Sequence, residues 1–289
     1  MPLLDREEYI EQAYFFQSLA ERLEGGRAIQ ELMVSLKEEI LSTTRLPLAI
    51  DFLVAELKLR GAFAPAMRRL KHYFTAFQTF VIEEAENERS RFDFTIAARV
   101  LEHEARYRAQ GATPQGAFLY QFEAIARNRL GYGRGLAAMA EDPIYDQPWR
   151  EFILQARSQL GLVDISDLIY VRSQLYYDTQ VQKGHSVEKL PPVLFSQKEG
   201  RIALANRRKD PLLLFAALQR HLNYPRVPRP RRAQRTEESL PALVRRMEKL
   251  EARIRLLEEE QRGGIDITRF YVGPESPGAG GGEPPPQEP

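Results

Sequence analysis

Residues 29–40 read IQELMVSLKEEI, and residues 70–81 read LKHYFTAFQTFV. In the first stretch Leu32, Leu36 and Ile40 lie four positions apart. In the second stretch the apolar residues lie three or four positions apart, at Leu70, Phe74, Phe77 and Val81. Apolar residues three and four positions apart lie on one face of an α-helix. Both stretches therefore predict amphipathic helices that bury one side.

The same periodicity continues from Asp5 to Tyr177, broken by short segments rich in Gly, Pro and Asn. Gly tends to follow the end of a helix, whereas Pro, Ser, Thr and Asp tend to begin the next one. A further helix is expected from Asp210 to Leu222, with Asp210 as its cap. We therefore predict a mainly α-helical body of about seven to nine helices.

One small β-hairpin is predicted near residues 193–205. Val193 to Phe195 and Arg201 to Ala205 have the composition of short strands, and the intervening SQKEG resembles a turn. The predicted helical domain with this hairpin spans residues 1–224.

The composition changes after residue 224, where PRVPRPRRAQR contains three prolines and five arginines in eleven residues. Such a segment cannot form a packed core, so we predict a basic linker at 225–236. A coiled coil is predicted at 237–262. The Gly, Pro and Glu composition beyond it predicts a disordered tail at 263–289.

The coiled coil is predicted from a heptad pattern. Its seam consists of Leu240, Met247 and Ile254 at position a and Leu243, Leu250 and Leu257 at position d, flanked by Arg246 and Arg253 at g and Glu251 and Glu258 at e. In a parallel pair each of these arginines faces a glutamate of the second copy, whereas an antiparallel pair brings like charges together. We predict a parallel homodimer, with packing of the stripe on its own chain as the alternative.

Charge is balanced overall but unevenly distributed. The chain contains 41 Lys and Arg against 40 Asp and Glu, so no global field indicates nucleic acid or membrane. Residues 201–235, however, hold ten basic side chains against Asp210 alone. The densest part predicts a basic contact patch formed by Arg226, Arg229, Arg231, Arg232 and Arg235. Contact with nucleic acid, contact with acidic lipid and a solvated tether stay open for this segment.

Several kinds of site are excluded or disfavoured. The chain has no cysteine, which excludes disulfides, thiolate nucleophiles and Cys-ligated metals. The four histidines lack ligand spacing, so no metal and no cofactor is predicted. GATPQGAF at 111–118 has the glycine spacing of a phosphate loop but lacks its lysine, and is interpreted as the end of one helix and the start of the next. Acidic clusters at 83–88 and 102–104 are interpreted as solvated helix faces.

Localisation and function are predicted from these features together. The beginning of the chain lacks a signal-peptide pattern, and the longest uncharged apolar stretch is shorter than the roughly 20 residues of a membrane span. We expect a cytoplasmic protein without membrane contact. The predicted function is a non-enzymatic interaction or scaffold protein that self-associates through the coiled coil. The alternatives are a nucleic-acid-associated protein using residues 201–235 and an enzyme without a recognisable motif.

Overall fold

The computed structural model describes residues 4–23, 29–87, 92–159, 161–184, 186 and 190–229. These residues belong to one compact unit and form thirteen α-helices. The helices are α1 (Arg6–Leu23), α2 (Ile29–Lys37), α3 (Leu46–Arg60), α4 (Ala64–Arg69), α5 (Ala76–Glu86), α6 (Phe94–Ala109), α7 (Pro114–Asn128), α8 (Tyr132–Ala140), α9 (Gln147–Gln159), α10 (Ile165–Val171), α11 (Gln174–Gln182), α12 (Gln197–Ala205) and α13 (Pro211–Leu222). The predicted coiled coil and tail lie outside the described residues.

The mainly α-helical class is confirmed, but the predicted number of helices is too low. The helices missed are short: α4 has six residues, α10 has seven and α11 has nine. A helix of nine residues or fewer has at most about two and a half turns and offers few apolar positions from which a period can be recognised. In the sequence pattern these helices therefore merge with their neighbours.

Side-chain caps determine where several helices begin. Thr75 forms a capping box at the start of α5, in which its hydroxyl accepts a hydrogen bond from the backbone N–H of Gln78. Thr113 accepts a hydrogen bond from the N–H of Gly116, and Pro114 follows it as the first residue of α7. Gly111, with φ of +86°, ends the segment after α6. The predicted helix end and restart at 111–118 is thus confirmed.

The predicted hairpin is wrong, because its turn is the beginning of a helix. Ser196 caps α12, and the Ser196 backbone N–H donates a 2.7 Å hydrogen bond to the Glu199 carboxylate. The sequence Ser-x-x-Glu is the capping-box pattern, so the residues assigned to a turn and a second strand form a helix. Within residues 193–205, all of which the structure describes, Phe195 alone makes a β-bridge, in parallel with Ser173. Gly200 permits close packing, since a Cβ there would lie 2.3 Å from the Ser173 hydroxyl.

The core forms around the long pair α1 and α6, which pack along each other. Phe15, Phe16 and Leu19 of α1 are fully buried in it. Phe118 of α7 lies in a second aromatic group with Trp149, where the ring centroids are 5.7 Å apart. Most of the aromatic residues with helical spacing are therefore core residues rather than an open groove.

The length and composition of the helices can be compared with the prediction that the chain does not contact a membrane. In the part of the chain that the structure describes, no helix combines the length and apolar character required to cross a bilayer.

Candidate functional site

The structure describes only part of the predicted basic patch. Arg226 and Arg229 lie within the described residues, and both are exposed. The residues outside them are Arg231, Arg232 and Arg235, together with the whole predicted coiled-coil interface, Leu240, Leu243, Arg246, Met247, Leu250, Glu251, Arg253, Ile254, Leu257 and Glu258.

The segment that carries Arg226 and Arg229 is packed on the helical body. It begins at Tyr224, which is only 2% exposed and whose ring lies 6.4 Å from that of Tyr120 on α7. Three residues later Val227 is also buried. Residues 225–229 of the predicted linker therefore contact the body.

Two backbone carbonyls fix this segment to α6 and α7. The Arg226 carbonyl oxygen lies 2.8 Å from Nδ1 of His103. In the tautomer that carries its proton on Nδ1, His103 donates this hydrogen bond to the carbonyl oxygen. The Pro228 carbonyl oxygen accepts a 3.1 Å hydrogen bond from Nδ2 of Asn128. Because the backbone is held in this way, the guanidinium groups of Arg226 and Arg229 are presented outward from the body.

Helix α12 and the turn after it carry further exposed basic residues. Lys198, Arg201 and Arg208 are exposed, whereas Glu199, the acidic residue of this helix, is 4% exposed and serves in the capping box. Arg207 pairs with Asp167. The outward side of α12 is consequently positive.

A buried polar network inside the body was not predicted. Nη1 of Arg108 donates to Asp142 at 3.2 Å, and Nη2 bonds both Asp142 and, at 2.9 Å, Glu104. Gln121 donates to the same two carboxylates, and its own oxygen accepts a 2.8 Å hydrogen bond from Tyr145. This network joins α6 and α7 to the connection between α8 and α9.

Burial and neighbouring charges shift the pKa values of two groups in the network. It raises the pKa of the Glu104 carboxyl above the ordinary value, although the positive charge of Arg108 opposes the shift. Burial acts on Arg108 in the opposite direction, but Asp142 and Glu104 together keep the pKa of its guanidinium well above the ordinary value. Two buried atoms of the network, Nε of Arg108 and Oε2 of Glu104, have no hydrogen-bond partner among the described residues.

Arg108 also forms part of the wall of a cavity of about 650 Å³. The cavity is formed by the start of α1 with Leu4 before it, by the end of α6 with the loop after it, and by one residue after α8. The lining residues are Leu4, Arg6, Tyr9, Arg108, Ala109, Gln110, Gly111, Ala112 and Ile144. Polar groups and apolar side chains therefore meet in one cavity.

A second cavity of about 550 Å³ lies between α4, α5 and α8. Two of its three basic groups are neutralised locally, because Arg134 pairs with Glu83 and Glu84 and Arg68 also pairs with Glu83. We assign no site to it.

The interpretation of the acidic clusters as solvated faces is wrong for two residues. Glu102 is 7% exposed and Glu104 is 3% exposed. The spacing of Glu104 and Arg108, four positions apart beside buried Leu101 and Ala105, is the sequence signal that was available. Their partner Asp142 lies 34 residues beyond Arg108 and gives no local signal.

Comparisons of the chain with protein-family models, with curated proteins and with solved structures found no match. Among the described residues, no three His, Asp or Glu side chains are grouped so that they could hold a metal ion. The candidate sites thus rest on this chain's own residues.

Proposed function

We propose that this chain is an interaction protein that pairs with a second copy through the heptads at 237–262 and contacts an acidic partner through the arginines before them. The single observation that carries the proposal is the anchoring of residues 224–229. Tyr224, Val227 and two backbone carbonyls hold this segment on the body, while Arg226 and Arg229 stay exposed.

Anchoring favours a contact surface over a free tether. A partner that binds a mobile segment has to restrict its backbone first, and this ordering lowers the affinity. Here the backbone carbonyl groups of Arg226 and Pro228 are already bonded to α6 and α7. The two arginines therefore offer charge at fixed positions on the surface.

Pairing would increase the strength of such a contact. Two copies joined near the arginines would present the basic surface twice, so that binding of the second site becomes intramolecular. The apolar residues of the heptads supply the affinity of the pair, and the flanking charges select its parallel orientation.

The absence of cysteine permits a direct test of the pairing. In a parallel coil, a single Leu243→Cys substitution at position d faces the same residue of the second copy and should form a disulfide-linked dimer on mild oxidation. Ala252→Cys, at the outward position f, is the matched control and should stay monomeric on a denaturing gel. Failure of Leu243→Cys to link above the control would contradict the parallel pair.

The acidic partner requires its own test. Tagged full-length protein is compared with a variant in which Arg226, Arg229, Arg231, Arg232 and Arg235 are replaced by Ser. We expect the variant to lose co-purifying acidic proteins while its melting temperature is nearly unchanged, because exposed charges contribute little to stability. A large loss of stability, or unchanged co-purification, would contradict the contact patch.

Nucleic acid is the second candidate partner, and the positive outward side of α12 favours it. Phosphate contacts make affinity fall steeply with salt. In a gel shift with a short duplex, Arg201→Ser/Arg208→Ser should lower the slope of log K against log salt by about two. Lys58→Ser/Arg60→Ser, on α3, is the control. No shift at low salt would exclude this function.

A further inference from the structure

Three leucines are exposed where α12 ends and α13 begins. Leu204 lies in the last turn of α12, and Leu212 and Leu213 lie in the first turn of α13. They are 41%, 44% and 55% exposed, respectively. Because residues 206–210 alone connect the two helices, the three leucines lie at the same end of this helix pair. We call residues 204–213 the α12–α13 tip. Single exposed leucines are ordinary, whereas several together indicate a contact surface.

The surroundings of these leucines are positively charged. Arg201 lies three positions before Leu204, so both lie on the same side of α12. Lys198, Arg201, Arg208 and Lys209 are all exposed, and none of them forms an ion pair with another described residue. Their charges are therefore available to a partner.

The acidic residues near the tip are engaged within the protein. Asp210 caps the N-terminus of α13. Asp164 accepts a 3.0 Å hydrogen bond from the backbone N–H of Arg208, and Asp167 of α10 pairs with Arg207. These contacts hold the turn between α12 and α13 against α10. The tip consequently has a fixed backbone and a positive surface.

The combination of leucines and basic residues favours a lipid surface as the partner. Nucleic acid offers phosphate groups to the basic residues but leaves the leucines in water. An amphipathic protein helix binds in a groove, and neither of the two cavities described above includes a residue of the tip. An anionic bilayer surface satisfies both groups, because its head groups attract basic side chains and the boundary below them accepts apolar ones.

We propose that the α12–α13 tip binds the surface of an anionic lipid bilayer. Leu204, Leu212 and Leu213 enter the boundary between head groups and acyl chains, and the surrounding basic side chains contact the head groups. The expectation of no membrane contact was based on the lack of a stretch that could span a bilayer, which a surface contact does not require. The site is separate from the heptads and from the arginines at 226–235.

The absence of cysteine allows one residue of the tip to report its own surroundings. Full-length Leu213→Cys is labelled with the environment-sensitive dye nitrobenzoxadiazole and mixed with phosphatidylcholine vesicles, either pure or containing phosphatidylserine. We expect the emission to shift to shorter wavelength with the phosphatidylserine vesicles alone, because the dye then leaves water. Leu59→Cys on α3 is the matched control and should show no shift. Leu59 is 79% exposed and also lies between two basic residues, Lys58 and Arg60.

Co-sedimentation with the same vesicles measures the contribution of each group. Leu212→Gln/Leu213→Gln should weaken binding to the phosphatidylserine vesicles about ten-fold, with an unchanged melting temperature because both leucines are exposed. Arg201→Gln/Lys209→Gln should weaken it at least about ten-fold, since each basic residue near an anionic surface contributes about five-fold. Leu59→Gln is the control and should bind like the wild type.

Three results would overturn the proposal. No shift of the dye at position 213, or an equal shift at position 59, would mean that the tip does not enter the bilayer. Equal binding to vesicles without phosphatidylserine would mean that the charges do not contribute. If the double leucine variant binds vesicles like the wild type, while Arg201→Gln/Lys209→Gln loses both vesicles and a short DNA duplex, the tip is a general surface for polyanions and nucleic acid is the better partner.

Discussion

The hydroxyl of Tyr224 donates a 2.7 Å hydrogen bond to Oε2 of Glu123, which lies 101 residues earlier in the chain. Both side chains are buried, and the same hydroxyl lies 3.1 Å from the Phe215 carbonyl oxygen. Glu123 also pairs with Arg127 one turn along α7. Tyr224 therefore joins the end of α13 and the segment after it to α7.

Removal of this hydroxyl should loosen the segment. We expect Tyr224→Phe to lower the free energy of unfolding by about 1 to 3 kcal/mol, the usual cost of leaving a buried acceptor without its donor. The measurement is urea denaturation of the full chain. Tyr132→Phe is the control, because Tyr132 is 38% exposed and its hydroxyl has no hydrogen bond to another described residue. Equal losses in the two variants would contradict the anchoring.

Because Arg108 belongs to the buried network and Arg106 does not, we expect their replacement to cost different amounts of folding stability. Arg108 and Arg106 each pair with a glutamate four positions earlier, but the side chain of Arg108 is 3% exposed and that of Arg106 is 51% exposed. Arg108→Ala leaves buried carboxylates without their cation and should cost about 3 to 5 kcal/mol. Arg106→Ala should cost less than about 1 kcal/mol. Similar values by chemical denaturation would show that the network is not structural.

Glu104 should make stability depend on pH. Because burial raises its folded-state pKa, the folded protein binds this proton more tightly than the unfolded chain does. The resulting stabilisation is complete below the unfolded pKa of about 4.3 and is lost as pH rises through the folded pKa. Glu104→Gln cannot titrate. We therefore expect the free energy of unfolding of the wild type, minus that of Glu104→Gln, to decrease from about pH 4 upwards.

Urea titrations of the two proteins across that range measure the difference directly. Contributions of other carboxyl groups cancel when they are the same in both proteins. A difference that is constant with pH, or that increases with it, would contradict the raised pKa of Glu104.

The Ser196 hydroxyl, which caps α12, is expected to contribute to the stability of the protein. Ser196→Ala removes the acceptor for the Glu199 N–H and should destabilise the protein by about 0.5 to 2 kcal/mol. Ser158→Ala is the control, because among the described residues the Ser158 hydroxyl bonds the Gln155 carbonyl oxygen alone, on an exposed surface. If the melting temperatures of both variants equal that of the wild type, the cap does not stabilise α12.

These residues show what the sequence could and could not predict. Apolar spacing predicted the helix at Leu32 and Leu36 correctly, because burial of one face depends on local order along the chain. At 70–81 the same spacing crosses the turn between α4 and α5, so only the part from Ala76 onward is helical. The Ser196 capping box was available in the sequence, but its short apolar neighbours resembled strands. The spacing of Glu104 and Arg108 could indicate their pair, but the rest of the network depends on Asp142 and Gln121, which tertiary packing brings together.

The central claim is that two copies of the chain pair through the heptads. Sedimentation equilibrium of the full protein at high micromolar concentration tests it most directly, with Leu250→Asp/Ile254→Asp as the disruptive variant and Ala252→Asp as the outward-facing control. We expect a concentration-dependent mass approaching two chains for the wild type and the control, and the mass of one chain for the disruptive variant. A monomer in all three proteins would contradict the account.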